Sequence, residues 1–146
     1  MSVCLFLAAA CPMREVHPTK EYPLEINVDT GTIYDGNADD NYHLYPFPDV
    51  DLYTAKTYGM QLEWAYYTEG RAWKLTEYIR ELLKQTECVE LWQVWLGADD
   101  AKVKTISVTS AELKPENIQM ADQHELWTRP SDPFDTPTYY CLSISR

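Results

Sequence analysis

The sequence predicts an α+β domain with an antiparallel or mixed sheet of about five to six strands, and with one main helix and a short second helix packed on one face. Residues 2–10 form a continuous apolar run, and residues 68–87 carry a helical stripe of apolar side chains. Strand-like runs follow at 88–97 and 102–110. A chain of 146 residues that is 45% hydrophobic can bury one continuous core, so we predict a single domain over residues 1–146.

The N-terminal half contains three predicted strand regions before the helix. The run at residues 2–10 ends before Pro12 and fits a strand that is buried on both faces. Residues 24–28, LEINV, alternate apolar and polar side chains, and Gly31 supplies a turn after which TIY returns, so a short hairpin is predicted. Residues 56–67 predict a half-buried strand with an apolar face of Met60, Leu62, Trp64 and Tyr66.

The clearest predicted element is the helix within residues 68–87. Thr68 has the side chain of an N-cap, Glu69 lies in the first turn and Lys84 lies near the C-terminal end, where each charge suits the helix dipole. The apolar stripe consists of Ala72, Leu75, Ile79, Leu82 and Leu83. The charges of this segment, with Arg71 among them, cancel, so its polar face is predicted to be solvated and neutral.

The C-terminal half predicts three strands and a short helix. Residues 88–97 are apolar on both faces, which is typical of a central strand. Residues 102–110 are β-branched and alternating, so the ADDA sequence between the two runs predicts the turn of an antiparallel hairpin. A short helix is predicted to begin at Pro115, and residues 137–146 close the chain as a strand.

The charge of the chain is strongly acidic and unevenly distributed. The net charge is −11 and the sequence pI is near 4.5, so nucleic acid and membranes are not expected as partners, because phosphate binding requires clusters of Lys and Arg. No Lys or Arg lies between Lys20 and Lys56, whereas this interval contains eight acidic residues. Within it, residues 35–55 are predicted to form an irregular acidic excursion. We expect a basic protein as the partner.

The excursion interleaves aromatic and acidic side chains, a composition typical of a protein interface. Aromatic side chains supply buried contact energy, and charges supply association rate and selectivity. The predicted partner-binding residues are Asp35, Asp39, Asp40, Tyr42, Tyr45, Asp49, Asp51 and Tyr53. The alternative, in which the tyrosines pack back onto their own sheet, stays open, and no oligomeric state is predicted.

Two short motifs in this region suggest other chemistries. Asp29-Thr30-Gly31 matches the loop of an aspartic protease, but that chemistry needs two facing carboxylates, and the chain has one such loop and no glycine-rich flap. The alternating oxygens of a calcium loop occur at Asp35, Asn37, Asp39 and Asn41. Asp40 and Pro46 occupy positions that an EF-hand gives to glycine and glutamate, so an EF-hand is excluded. An irregular calcium-binding loop at residues 35–41, built from the same oxygens, is a third alternative.

No other residues have the spacing of a catalytic or cofactor site. The four cysteines form no C-x-x-C pair, no serine has the flanking glycines of a nucleophile elbow, and the five glycines form no phosphate-binding cluster. We therefore predict a non-enzymatic protein without a cofactor. The second hypothesis is a small-molecule-binding protein or enzyme with a pocket lined by Trp64, Trp92, Trp95 or Trp127.

The N-terminal apolar run predicts a strand and not a signal peptide. It covers only Val3 to Ala10, and no positively charged residue precedes it. No segment approaches the roughly 18 apolar residues that a membrane span needs. We expect a cytoplasmic protein with reduced, buried cysteines, and a disulfide between Cys4 and Cys141 is the alternative.

Four stretches resemble a group of short acidic bacterial proteins of unknown function. These stretches are MSVCLFLAAA, LEWAYYTEGRAWKLTEYI, ELWQVWLG and YCLSISR. The resemblance implies a shared fold and carries over no catalytic residue. The chain is also similar in size and charge to immunity proteins, which neutralise secreted toxins. We therefore expect a protein-binding module, and more specifically an immunity- or antitoxin-like inhibitor of a basic partner.

Overall fold

The computed structural model describes residues 2–98, 101–124 and 138–146 of the chain. In chain order the strands are β1 (Ser2–Ala9), β2 (Glu25–Asn27), β3 (Thr32–Tyr34), β4 (His43–Pro46), β5 (Tyr58–Glu63), β6 (Cys88–Leu96), β7 (Val103–Thr109) and β8 (Tyr139–Ser145). The helices in these ranges are α1 (Glu69–Leu82), α2 (Pro115–Asp122) and a 3-10 helix over Pro48–Leu52.

Six strands form one mixed sheet, and the remaining two form a separate hairpin. The order across the sheet is β4-β5-β1-β6-β8-β7, and β2 pairs with β3. Neighbouring strands of the large sheet are antiparallel except β7 and β8, which run parallel. The predicted α+β class with a mixed sheet is therefore confirmed, and β1 lies inside the sheet, between β5 and β6.

The predicted hairpin between residues 88–97 and 102–110 is wrong. Strand β8 lies between β6 and β7 and pairs with both of them. β-Branched alternation specifies a strand but leaves its neighbour undetermined. The largely buried β8 takes the inner position, whereas β7, with exposed Lys104, lies at the edge of the sheet, where a charged side chain is tolerated.

The sheet is covered on both faces, by different parts of the chain. Leu7 of β1 packs in a cluster with Leu75 of α1, whereas Phe6 of β1 packs in a second cluster with Phe47 and Val50. Neighbouring residues of a strand point to opposite faces. The predicted helical layer on one face is confirmed, and the 3-10 helix covers the other face. The excursion is thus more regular than predicted, because it contains β4 and this helix.

The 3-10 helix approaches the sheet closely at Gly59 of β5. A Cβ atom at this position would lie 2.6 Å from the Cβ atom of Val50. The backbone N–H of Phe47 donates to the Gly59 carbonyl oxygen at 2.9 Å. The absence of a side chain at Gly59 therefore allows a backbone hydrogen bond to fix this layer against the sheet.

Helix α1 begins as predicted and buries the predicted stripe. The Thr68 side chain accepts a hydrogen bond from the backbone N–H of Arg71 at 3.1 Å. The stripe residues Ala72, Leu75, Ile79, Leu82 and Leu83 are all buried. The prediction of a fully solvated charged face is wrong, because Arg71 is 0% exposed. No helix in the described ranges has the length and apolar composition needed to span a membrane.

Candidate functional site

The interval without Lys or Arg, residues 21–55, divides into three parts in the structure. Residues 24–34 form the β2–β3 hairpin with its flanks, which we call the hairpin arm. Residues 35–42 form what we call the anchored loop, which accepts hydrogen bonds from the Arg71 side chain at the start of α1. Residues 43–53 contain β4 and the 3-10 helix, which pack against the large sheet. The acidic residues of the interval therefore have different surroundings.

The anchored loop is fixed by a buried ion pair between Asp35 and Arg71. The Nη2 atom of Arg71 lies 2.7 Å from Oδ1 and 2.8 Å from Oδ2 of Asp35, and both side chains are buried. The Nε atom of the guanidinium donates to the Ala38 carbonyl oxygen at 3.0 Å, and Nη1 donates to that of Tyr66 at 2.9 Å. Burial raises the pKa of Asp35, but the hydrogen bonds from Arg71, together with one from the backbone N–H of Asn37, outweigh it and lower the pKa overall.

Two further side chains of the predicted calcium loop, those of Asn37 and Asn41, also have hydrogen-bond partners. Asn41 Nδ2 donates to Oδ2 of Asp35 at 2.9 Å, and the Tyr66 hydroxyl donates to Oδ1 of Asn37. A metal ion at Asp35 would have to displace the guanidinium, which already neutralises the carboxylate. The described part of the chain holds no group of three His, Cys, Asp or Glu side chains that could bind a metal. This geometry supports an anchoring role more strongly than calcium binding.

Asp40 holds the loop to neighbouring residues, and Asp39 lies against the start of α1. The Asp40 carboxylate accepts hydrogen bonds from the hydroxyls of Thr19 and Tyr22, both at 2.6 Å. These two bonds lower the pKa of Asp40 to about 2. The carboxylate of Asp39 lies against Gly70 in the first turn of α1, where any Cβ atom would overlap it. A negative charge at this position suits the positive end of the helix dipole.

The predicted partner-binding residues do not form one surface. Asp35 and Tyr42 are buried, so neither is available to a partner in this conformation. The hydroxyl of Tyr45 donates to the Glu63 carboxylate at 2.6 Å. Three further residues lie in or beside the 3-10 helix, on the face of the sheet opposite α1, namely Asp49, Asp51 and Tyr53. The exposed acids of the interval are therefore distributed over at least two sides of the molecule.

The hairpin arm exposes one apolar face. Ile26 and Ile33 are opposite each other in the β2–β3 pairing, so their side chains share a face, and Leu24 and Val28, which flank β2, add two further exposed apolar side chains. The exposed fractions are 50% for Leu24, 64% for Ile26, 87% for Val28 and 43% for Ile33. Tyr34, on the other face of the hairpin, is exposed as well. The arm holds more exposed large apolar side chains than any other described element.

The protease-like motif forms the turn of this arm. The Asn27 side-chain oxygen accepts hydrogen bonds from the backbone N–H groups of Asp29 and Thr30, at 3.0 and 3.2 Å. Gly31 has a φ of 67°, a conformation that favours glycine. Asp29-Thr30-Gly31 is therefore an exposed turn at the end of the arm. The sequence predicted the hairpin but not its exposure, because alternation usually marks a strand with one buried face.

The tryptophans predicted as candidates to line a pocket lie in different places. Trp64 lines a cavity of about 580 Å³ beside the end of α2. Trp92 lines a second cavity, of about 460 Å³, near the 3-10 helix, and Trp95 packs against the cluster on that face. Trp127 lies outside the described residues. Two of the four candidate tryptophans, Trp64 and Trp92, therefore each line a cavity, and the second hypothesis stays a prediction.

All four cysteines are free thiols in the structure. Cys4 and Cys141 are both buried in the cluster that contains Phe6. Burial raises the pKa of Cys4 to about 11 and that of Cys141 to about 12, so both thiols keep their protons at neutral pH and are poor nucleophiles. The two residues act as small buried apolar side chains.

Comparisons with protein-family models, with curated proteins and with solved structures find no match. The resemblance of the four core stretches to short acidic bacterial proteins therefore stays a prediction. Since a fold alone does not define a function, the function has to be argued from the geometry of the exposed and concave parts of the molecule.

Proposed function

We propose that the protein is a non-enzymatic binding module whose hairpin arm docks onto a basic protein. The observation that carries the proposal is the apolar face of the arm, which is exposed within an interval, residues 21–55, that contains no Lys or Arg. This combination supplies both an apolar anchor and a charge preference.

The apolar face supplies the binding energy. A two-stranded hairpin without a covered face is only marginally stable in water, so exposing its apolar side chains has a cost for the free protein. Contiguous exposed apolar patches on soluble proteins commonly mark interaction sites. Fully burying a side chain such as Ile26 or Val28 against a partner contributes about 1.5–3 kcal/mol.

The acidic residues of the arm select the partner. Glu21, Glu25 and Asp29 are exposed in or beside the arm, and no basic side chain of the interval offsets them. Their field accelerates association with a positively charged surface and opposes an acidic one. A second copy of this chain is a poor partner, because a two-fold symmetric contact would bring the same acidic patch against itself.

The concrete version of this proposal is an immunity- or antitoxin-like inhibitor in the cytoplasm of a bacterium. A basic nuclease toxin is a fitting target, because its phosphate-binding groove is positively charged. An acidic arm with an apolar face could occupy such a groove and exclude the nucleic acid. The free thiols suit a reducing compartment.

The proposal is tested by affinity capture from the source organism, followed by purification of the captured protein and titration calorimetry. We expect a basic protein whose Kd rises at least about ten-fold between roughly 50 and 300 mM salt, because surface charges are screened. The arm variant Glu21→Gln, Glu25→Gln, Asp29→Asn should weaken binding at low salt and lose most of this salt dependence.

The matched control is Glu69→Gln, Glu77→Gln, Glu87→Gln, which removes the same charge from three exposed acids outside the interval. It should affect binding much less than the arm variant. Capture of no protein, capture of an acidic protein, or equal effects of the two triple variants would each contradict the proposal.

A further inference from the structure

A second candidate site lies at the point where β5 separates from β1. The last residue pair between these strands is Leu5 with Leu62, and the chain leaves the sheet after Glu63, through residues 64–67. The end of α2 closes another side with Asp122 and Gln123, which leaves a cavity of about 580 Å³. Small-molecule sites have volumes of about 300–1,000 Å³, so this space can hold a ligand.

Part of the cavity wall is aromatic. Trp64, Tyr66 and Tyr67 line it in succession along the chain. The rings of Trp64 and Tyr67 are nearly perpendicular, at 84°, and their centroids are 6.2 Å apart, so they form adjoining walls. The face of an aromatic ring attracts an ammonium group through its quadrupole, most strongly for tryptophan.

The charges of the wall are negative. Glu63 and Asp122 line the cavity, and among the residues that the structure describes no Lys, Arg or His lines it. Among the described residues, Glu63 accepts a hydrogen bond from Tyr45 and Asp122 accepts one from the Trp64 indole N–H at 3.0 Å, and neither forms a salt bridge. Asp122 is also the last residue of α2, where the helix dipole favours a positive charge.

We propose that this cavity binds a small organic cation through its ammonium group, between the carboxylates of Asp122 and Glu63 and the ring of Trp64. The aromatic walls favour an organic ammonium over a metal ion, which prefers oxygen ligands on all sides. Burial raises the pKa of Asp122 despite its bond from Trp64, because the carboxylate has lost hydration that a bound cation would offset. This site is separate from the hairpin arm and does not depend on the proposed function.

The test uses choline and putrescine as probes and 3,3-dimethyl-1-butanol as the neutral isostere of choline. Binding is followed by calorimetry and by the NMR signal of the Trp64 indole N–H. We expect at least one cation to bind with a Kd below about 5 mM, to shift this signal, and to bind at least about ten-fold more tightly than the neutral alcohol.

Asp122→Asn, which keeps an acceptor for the indole, should weaken the binding of the cation at least about ten-fold, and Glu63→Gln should weaken it to a smaller extent. Asp49→Asn removes the same charge from the opposite face of the sheet and should leave the Kd unchanged. Glu63 is exposed, so its variant keeps the test valid if Asp122→Asn fails to fold. The proposal is overturned if neither cation shifts the indole signal, if the alcohol binds equally well, or if the folded cavity variants bind like Asp49→Asn.

Discussion

The hairpin arm and the anchored loop are consecutive segments of one acidic interval, yet they differ in how far their acidic side chains are bonded to the rest of the domain. The loop contributes Asp35 to a buried ion pair with Arg71, and Asp40 to bonds with Thr19 and Tyr22. In the arm, the acids Glu25 and Asp29 are exposed to solvent, and so is the apolar face. A run of acidic residues therefore does not identify a surface. The surroundings of each carboxylate are decided by donors elsewhere in the chain.

The largest effect is expected from Arg71→Met. Removing the guanidinium leaves the Asp35 carboxylate buried without its cation and also removes the bonds to the carbonyl oxygens of Ala38 and Tyr66. We expect the free energy of unfolding to fall by about 3–5 kcal/mol in urea denaturation. Lys84→Met, at an exposed position of the same helical region, should change it by less than about 0.5 kcal/mol.

A double-mutant cycle measures the coupling between Asp35 and Arg71 directly. Because Asp35→Asn removes the charge that Arg71→Met leaves unpaired, the double variant should be more stable than the sum of the single effects predicts, by about 0.5–3 kcal/mol. Additive effects would mean that the ion pair is not what fixes the loop.

An intermediate effect on stability is expected when the pH is lowered, and this effect should be confined to the anchored loop. The pKa values of Asp35 and Asp40 are lowered on folding, to about 2 for Asp40. Stability from these groups is therefore present above their unfolded pKa, near 3.8, and is lost as the pH falls through the folded values. The loop should loosen between about pH 4 and pH 2.

The backbone N–H of Asn37, which donates to Asp35, reports this change by NMR. Its chemical shift should titrate with an apparent midpoint below 3.8, and the titration should disappear in Asp35→Asn. Signals of Ile26 and Ile33 in the arm should not follow the same midpoint. A midpoint above 3.8 would contradict the sign of the Asp35 shift.

The smallest effect on stability is expected in the arm. Ile26→Ser, Val28→Ser and Ile33→Ser each replace an exposed side chain, so each should change the free energy of unfolding by no more than about 0.5 kcal/mol. Leu44→Ser, at a position that is 0% exposed in the core, is the contrasting substitution and should cost several kcal/mol, of the order seen for large core truncations. A large loss of stability in the arm variants would show that the arm packs against its own domain.

Most of the fold could be predicted because its signals are local. Period and apolar content over about ten residues identified β1, β6 and α1, and the N-cap Thr68 fixed where the helix begins. The order of β7 and β8 could not be predicted, since strand pairing depends on contacts between distant parts of the chain. The burial of Arg71 was missed because a charge count cannot reveal a pair separated by 36 residues.

The candidate sites were only partly predictable, for related reasons. The acidic interval was visible as a run of charge, but which of its acids are exposed depends on donors such as Arg71 and Tyr22. Trp64 was predicted to line a pocket, whereas its partner Asp122 was not, because only the folded chain brings α2 beside the end of β5. Periodicity marked the apolar face of the arm as a strand face but could not show that nothing in the described domain covers it.

The central claim is that the apolar face of the arm binds the partner without stabilising the free protein. The most direct measurement is the Kd of the captured basic partner for the triple variant Ile26→Ser, Val28→Ser, Ile33→Ser, taken together with the unfolding free energy of that variant. We expect binding to be at least about 100-fold weaker, while the free energy of unfolding changes by less than about 1.5 kcal/mol. An unchanged Kd in a folded triple variant would show that the apolar face of the arm does not bind the partner.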